Sequence, residues 1–338
     1  MKYFKPLKVL YGHFDTVNSA KFSPNGRRIV SSSNDWTVRI WDIALETEIK
    51  ILRGHSNNVN DAQFSPIDDL VVSCSKDKTL RLWDIKSGRD IKIFKGHSRA
   101  VLRAQFSPNG QMIASGSQDK TIRLWNVKSG EVLKILEGHL NWINDVQFSL
   151  DGQQIISSSD DNTIVIWDVK SGERLRTLKG NSSSIMKARL SPDSLSIASF
   201  SISKTINIWN IASEKTVQIL DGLFDIVRNI ELSEDGQIIV SYSIDTTNRW
   251  CDVKERMKKE QAGCYLNCAG DFQYFPDGQT IVSSSYDATI LLWDVKFGME
   301  IQKLRGHCNN VTGIDLSHDY NTIVSCSIDK TIRLWGRL

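Results

Sequence analysis

The 338-residue chain lacks a surplus of either charge: 42 Lys and Arg stand against 39 Asp and Glu, a formal net charge of +3 with an isoelectric point near 8.4. That balance is not the basic footprint of a nucleic-acid binder. No run of about 18 apolar residues occurs, so no membrane span is expected. The opening MKYFKPLKVLYGH alternates lysine with apolar residues and lacks the unbroken apolar region of a secretory leader. It reads as a strand, and the expected compartment is cytosol or nucleus, not the exterior. A sustained 3.6-residue apolar period is also missing, so no long helix is placed. Cysteine is scarce, with six in the chain. Cys264, Cys268 and Cys308, with the adjoining His307, are the grouping nearest to a zinc set, but the C-x3-C spacing is loose and no partner pair repeats it. Neither a metal, a disulfide nor a cofactor is expected.

What the sequence does contain is a repeat. DKTIRLW occupies residues 119–125 and again 329–335, with DKTLRLW at 77–83, DNTIVIW at 161–167 and DATILLW at 287–293. The corresponding tryptophans, Trp41, Trp83, Trp125, Trp167, Trp209, Trp250, Trp293 and Trp335, are spaced by 42, 42, 42, 42, 41, 43 and 42 residues. A fixed period of this size marks a repeat architecture. Eight units of 42 account for 336 residues, so a single domain over 1–338 is expected. Within the third unit, IKIFK, VLRAQFS, QMIASGS and KTIRLWN are separated by Gly-His, Pro-Asn-Gly and Gln-Asp, with Lys-Ser-Gly following. Short β-branched and apolar runs bounded by such clusters read as antiparallel strands, four to a unit. Cys74 and Cys326 fall at equivalent places in one strand of units two and eight and read as buried small hydrophobes.

Gly-His recurs at 12–13, 54–55, 96–97, 138–139 and 306–307, its glycine 29 residues before the tryptophan, and Trp-Asp follows at 41–42, 83–84, 167–168 and 293–294. This order, in phase along essentially the whole chain, resembles the WD40 repeat. The resemblance implies an all-β, eight-bladed WD40 propeller of four-stranded antiparallel blades. The N-terminal strand is expected to close the ring, with residues near 5–10 pairing antiparallel to those near 330–335.

His, Ser and Asp recur together, which are the ingredients of a hydrolase. An active site needs one copy, whereas five units carry the set in register: His13, Asp35, Trp41; His55, Asp77, Trp83; His97, Asp119, Trp125; His139, Asp161, Trp167; and His307, Asp329, Trp335. The resemblance implies a buried hydrogen-bond chain from the indole through a serine and the histidine to the aspartate. Ser115 and Ser117 are both available to it, as are their counterparts in every unit. Units five to seven depart: Asn181 and Ser203 replace His and Asp, Leu223 replaces His, and Tyr265 replaces His after Cys264. Asp245 and Asp287 are therefore expected to be hydrated or differently partnered.

Function is sought in what the units do not share. Immediately before the Asp position they carry Asn34, Lys76, Gln118, Asp160, Ile202, Ile244, Tyr286 and Ile328, four polar residues and then four apolar ones. Trp36 and Trp142 are the two tryptophans outside the repeat, and both map to loops of the same rim. We read the chain as a protein-interaction scaffold, a monomer within a larger complex, binding peptides or domains through Trp36, Trp142, Met186, Ile202, Phe224, Ile226, Arg228, Ile244, Tyr286 and Ile328. The alternative is a receptor for acidic or phosphorylated motifs, with Lys76, Arg99 and Arg103 as cations. An enzyme with a site at the channel mouth is a further alternative, supported by no unique nucleophile, carboxylate pair or phosphate loop.

Overall fold

In the computed structural model of the chain the described strands form eight four-stranded antiparallel sheets. The structure describes residues 3–338 apart from 45–46, 68, 180–182, 192, 203–204, 221–226, 233–237, 244–247, 253–257, 260–267, 286, 295–296 and 298; within 47–49 and 218–270 it describes backbone alone. Among the described residues no helix is long and apolar enough to cross a membrane.

The third sheet illustrates the pattern, running from the inner strand Val101–Phe106 through Met112–Ser117 and Ile122–Asn126 to the outer strand Val132–Leu136. Its outer strand comes from the start of the next sequence unit, so blades are offset from sequence units by one strand. The cause is the short Lys128-Ser129-Gly130 turn: Gly130 takes φ +80° and its N–H reaches the Asn126 carbonyl at 2.8 Å, folding the chain back so that 132–136 pairs with 122–126. The same offset leaves Phe4–Leu10 without a preceding sheet. It pairs antiparallel with Ile332–Arg337, Phe4 opposite Arg337 and Leu10 opposite Ile332. The Gln302 side chain, on the outer strand of blade seven, brackets Phe4, accepting its N–H at 2.8 Å and donating to its carbonyl at 2.7 Å.

Apolar layers lie between sheets, which is why one blade alone is not a stable unit. Val72, Leu80, Leu82 and Phe94 of blade two interleave with Val101, Phe106, Ile113 and Trp125 of blade three. Leu10, Ile332 and Leu334 of the last sheet pack with Val17, Ile29 and Trp41 of the first. Each such side chain contributes about 1.5–3 kcal/mol when fully buried. Cys74 and Cys326 belong to these layers, and burial pushes both thiols up to about 12.

The inner strands share a second device. Each pairs with its neighbour through an irregularity after its first residue, as between Val17 and Ser19, Val59 and Asp61, Ile143 and Asp145, and Val311 and Gly313. A bulge re-aims the extra side chain. Here the skipped residues line the central channel, and four of them tie their blade to the next. Asn18 donates to the Val59 carbonyl at 2.8 Å, Asn60 to Val101 at 2.7 Å, Asn144 to Ile185 at 2.9 Å, and Thr312 to Val17 at 2.5 Å.

Candidate functional site

The recurring His, Ser and Asp meet as one buried chain. In blade three the Trp125 indole N–H donates to Ser115 Oγ at 2.8 Å, His97 Nε2 lies 2.8 Å from the same oxygen, and His97 Nδ1 lies 2.7 Å from Asp119 Oδ2. The same connections join Trp41, Ser31, His13 and Asp35; Trp83, Ser73, His55 and Asp77; Trp167, Ser157, His139 and Asp161; and Trp335, Ser325, His307 and Asp329. The serine is thus the one four residues before the aspartate. Ser117 instead donates to the Ala100 carbonyl and accepts the Asp119 N–H, holding the turn.

The preceding glycine lies close against the same packing. A Cβ on Gly96 would stand 2.7 Å from an Arg123 guanidinium nitrogen and 3.2 Å from the Trp125 ring. Burial by itself raises the Asp119 carboxyl, but the His97 bond and charge, the Thr121 hydroxyl and the Ser98 N–H outweigh it and hold the group well below the usual carboxylate range. Asp35, Asp77, Asp161 and Asp329 are lowered by the same balance. A serine already accepting an indole N–H inside the core has no approach for a substrate, so the set is a poor nucleophilic centre.

The divergent blades keep part of this chain. Trp209 donates to Ser199 at 2.8 Å and Trp293 to Ser283 at 3.0 Å. In blade seven, Lys303 Nζ reaches Asp287 Oδ2 at 2.7 Å, the oxygen that a histidine takes elsewhere. Register explains the exchange. Arg81 and Arg123 face Ile93 and Ile135 across their strand pairs, whereas Leu291 faces Lys303, so cation and hydrophobe have swapped strands. Asn181, Ser203, Leu223, Asp245, Cys264 and Tyr265 lie outside the described residues, and only the backbone of Cys268 is described. Cys308 is exposed.

Of the residues singled out for binding, Trp36 is 51% exposed, Trp142 39%, Met186 37% and Ile202 43%. Trp36 stands in the left-handed turn after Asp35, at φ 69°. Trp142, Met186 and Ile202 lie on the adjacent blades four and five, where Asn144 bonds the Ile185 carbonyl and approaches Met186 Sδ at 3.9 Å. Ile328 is half-buried; Phe224, Ile226, Ile244 and Tyr286 lie outside the described residues, as does the Arg228 side chain.

Sequence reasoning missed Phe14 and Leu140, 74% and 79% exposed. Each directly follows a network histidine and donates its N–H to the network aspartate, at 3.0 and 2.8 Å, which turns its side chain outward. The apolar letter after Gly-His was the available signal.

Arg103 is not a rim cation. It sits in the central channel, a cavity of about 810 Å³, within a chain of alternating charge contributed by five successive blades. Lys21 holds Asp61 at 2.7 Å, Arg103 lies 3.3 Å from Asp61 and 3.8 Å from Asp145, and Arg189 reaches Asp145 at 3.0 Å. The bulge at Leu102 turns Arg103 inward. Lys76 and Arg99 are exposed, as are Lys78 and Lys120.

A family model described as "WD domain, G-beta repeat" matches residues 4–42, 46–84, 88–126, 130–168, 172–210, 264–294 and 298–336. These seven segments cover most of the chain, which belongs to the WD40 family. Its propellers generally act as protein-interaction scaffolds and are typically not enzymes. The sixth sheet falls in the unmatched stretch 211–263. Among curated proteins, "Periodic tryptophan protein 2" of Saccharomyces cerevisiae is similar to the chain, 50% identical over 32 residues. The match spans 10% of this chain and 4% of that protein's length.

Proposed function

We propose that the chain is a protein-binding scaffold, one closed ring of eight WD40 blades over residues 1–338, whose rim on the Asp-turn side docks a peptide or domain of a partner protein. The observation that carries this reading is the apolar sector Leu140, Trp142, Met186 and Ile202 on adjacent blades, exposed on a rim whose third blade is polar. Contiguous exposed apolar surface marks interaction sites, and aromatic anchors dominate their binding energy. Phe224, Ile226, Arg228, Ile244, Tyr286 and Ile328 extend the proposed surface, and Trp36 with Phe14 forms a second apolar group on blade one. The ring is a monomer within a larger complex, in cytosol or nucleus, acting without cofactor, nucleic acid or chemistry of its own.

A second reading has its own observation. Lys76, Lys78, Arg99 and Lys120 form a cationic sector on blades two and three, with no ion pair among the described residues, suited to an acidic or phosphorylated segment. Two variants separate the readings: Trp142→Ala with Ile202→Asp, and Lys76→Glu with Arg99→Glu. Each is compared with the parent chain by affinity purification with identified co-purifying proteins and by thermal melting. Loss of partners in the first variant at unchanged Tm supports the apolar rim. Loss in the second alone favours the acidic-motif reading, and retention in both overturns the rim as the interface.

A further inference from the structure

On the face opposite that rim, the turn after the eighth inner strand departs from its counterparts in a way the sheet does not require. Among the described residues the fourth residue of this turn is left-handed: Gly26 and Gly110 have φ +67°, Gly152 +69° and Gly278 +60°, with Ser194 at 58°. In blade eight the turn reads Ser317-His318-Asp319-Tyr320, and Tyr320 holds φ 56°. That conformation is unfavourable for any residue with a Cβ and is an outlier for a bulky one. Glycine makes the turn in four other blades, so the turn itself does not call for an aromatic residue here. Strained residues of this kind gather at ligand clamps.

Tyr320 lines a cavity of about 440 Å³ between blades one, seven and eight, with Phe22, Tyr274, Gln273, Asp315 and His318. The volume is in the range of small-ligand sites, roughly 300–1,000 Å³. Its aromatic walls are anchored: Tyr320 packs on the buried Phe275, ring centroids 6.4 Å apart, and Phe22 borders the core layer between blades eight and one. The acid in this wall recurs at one other equivalent position, Glu231 of blade six; the remaining six carry Lys21, Gln63, Gln105, Gln147, Arg189 and Gln273. Asp315 accepts the Gln273 amide at 2.8 Å and the Phe22 N–H at 2.7 Å, both neutral donors. The neighbouring ammonium of Lys21 is committed to both oxygens of Asp61, at 2.7 and 2.8 Å. Burial raises the Asp315 carboxyl, and those two hydrogen bonds, with the nearby charge of Lys21, offset the effect only in part. A carboxylate with no cation in contact among the described residues, walled by three aromatic rings, is matched by a ligand that brings the charge.

We propose that this cavity binds an organic monocation, an alkylammonium or guanidinium group, seated among Phe22, Tyr274 and Tyr320 with its charge on Asp315. The rings supply cation–π attraction and the carboxylate a charge-assisted hydrogen bond. The group can belong to a free amine or to a basic side chain of a peptide. The full chain is titrated calorimetrically with n-propylguanidinium, with a capped Gly-Arg-Gly tripeptide, and with the capped citrulline tripeptide as a neutral isostere. Saturable binding of at least one cation is expected, with the isostere about tenfold weaker or more, the worth of a charged hydrogen bond. Tighter binding of n-propylguanidinium points to a free small cation, and tighter binding of the tripeptide to a side chain. Asp315→Gln installs the residue that four other blades carry, so it should fold with unchanged Tm and lose about tenfold or more in affinity. Tyr320→Gly, which restores the relaxed turn, should weaken binding in the same direction. Absence of saturation by both cations at millimolar concentration, or equal affinity in folded Asp315→Gln, overturns the proposal.

Discussion

Replacing His97 by alanine removes an imidazole that bridges Ser115 and Asp119 at 2.8 and 2.7 Å. The two ends respond differently. Ser115 still accepts the Trp125 indole at 2.8 Å and keeps a long contact to the Arg123 carbonyl at 3.4 Å, so its loss is the smaller. Asp119 retains the Thr121 hydroxyl at 2.7 Å and the backbone N–H groups of Thr121 and Ser98, at 3.0 and 2.9 Å, but loses its shortest-range buried partner from outside the turn. A neutral bond contributes about 1 kcal/mol and one to a charged group about 1.5–3 kcal/mol, so the expected destabilisation is about 2–3 kcal/mol. Unfolding entropy of about 2 cal/mol/K per residue converts this to a Tm fall of about 4 °C if the ring melts cooperatively. Differential scanning calorimetry reads it directly. A double-mutant cycle with Asp119→Ala should return a coupling of about 1–2 kcal/mol. The corresponding alanine variants of His13, His55, His139 and His307 should behave alike, since their geometry repeats. An unchanged Tm, or one histidine whose loss abolishes a function while stability stays constant, would refute the structural reading and bring back the hydrolase.

Deleting residues 1–11 removes the outer strand of the last sheet, including buried Phe4 and Leu10, and exposes the 332–337 edge; a fall in Tm well beyond the His97 variant is expected, and an unchanged melt would refute it. Gly96→Ala sets a Cβ against the Arg123 guanidinium and should lower Tm, while Gly26→Ala, with open space around it, should suffer backbone strain alone and lose less. Acid should destabilise the fold in a defined window. The lowered carboxyls of Asp35, Asp77, Asp119, Asp161 and Asp329 contribute stability that is complete above the ordinary carboxylate value, about 4, and is lost as pH falls through their depressed folded values. Melting followed by circular dichroism should therefore fall off below about pH 4, with Asp119→Asn reducing the slope; a Tm that rises on acidification would contradict the sign.

Part of the candidate site was legible because its letters act locally. The turn after each Asp, the Gly-His step and the tryptophan at the end of the third strand recur in phase, and each has a short-range cause. Ser115 and Ser117 could not be told apart because alternation puts both on one face of the same strand; only the imidazole arriving from another loop selects Ser115. Arg103 was misread for a related reason. It was named from its charge alone, and the bulge at Leu102, which its letters do not show, places the arginine in the channel. Phe14 and Leu140 are exposed through backbone bonds to aspartates some twenty residues away, which no local pattern encodes. Lys303 takes over for a missing histidine across a strand pair, again a matter of register.

The sequence by itself determined the repeat length, the all-β class and the recurrence of His, Asp and Trp in register, because hydrophobic alternation and turn chemistry are properties of neighbouring residues; the burial of those sets came from the resemblance to WD40 repeats. Tertiary structure alone decided which outer strand joins which blade, which serine completes each chain, and where Asp315, Tyr274 and Tyr320 meet. Those three residues belong to different turns and strands of blades seven and eight, and Phe22 joins them from blade one, nearly 300 residues away. Only the packing of the last sheet against the first brings them to one cavity, since burial of apolar faces between sheets acts without regard to distance along the chain.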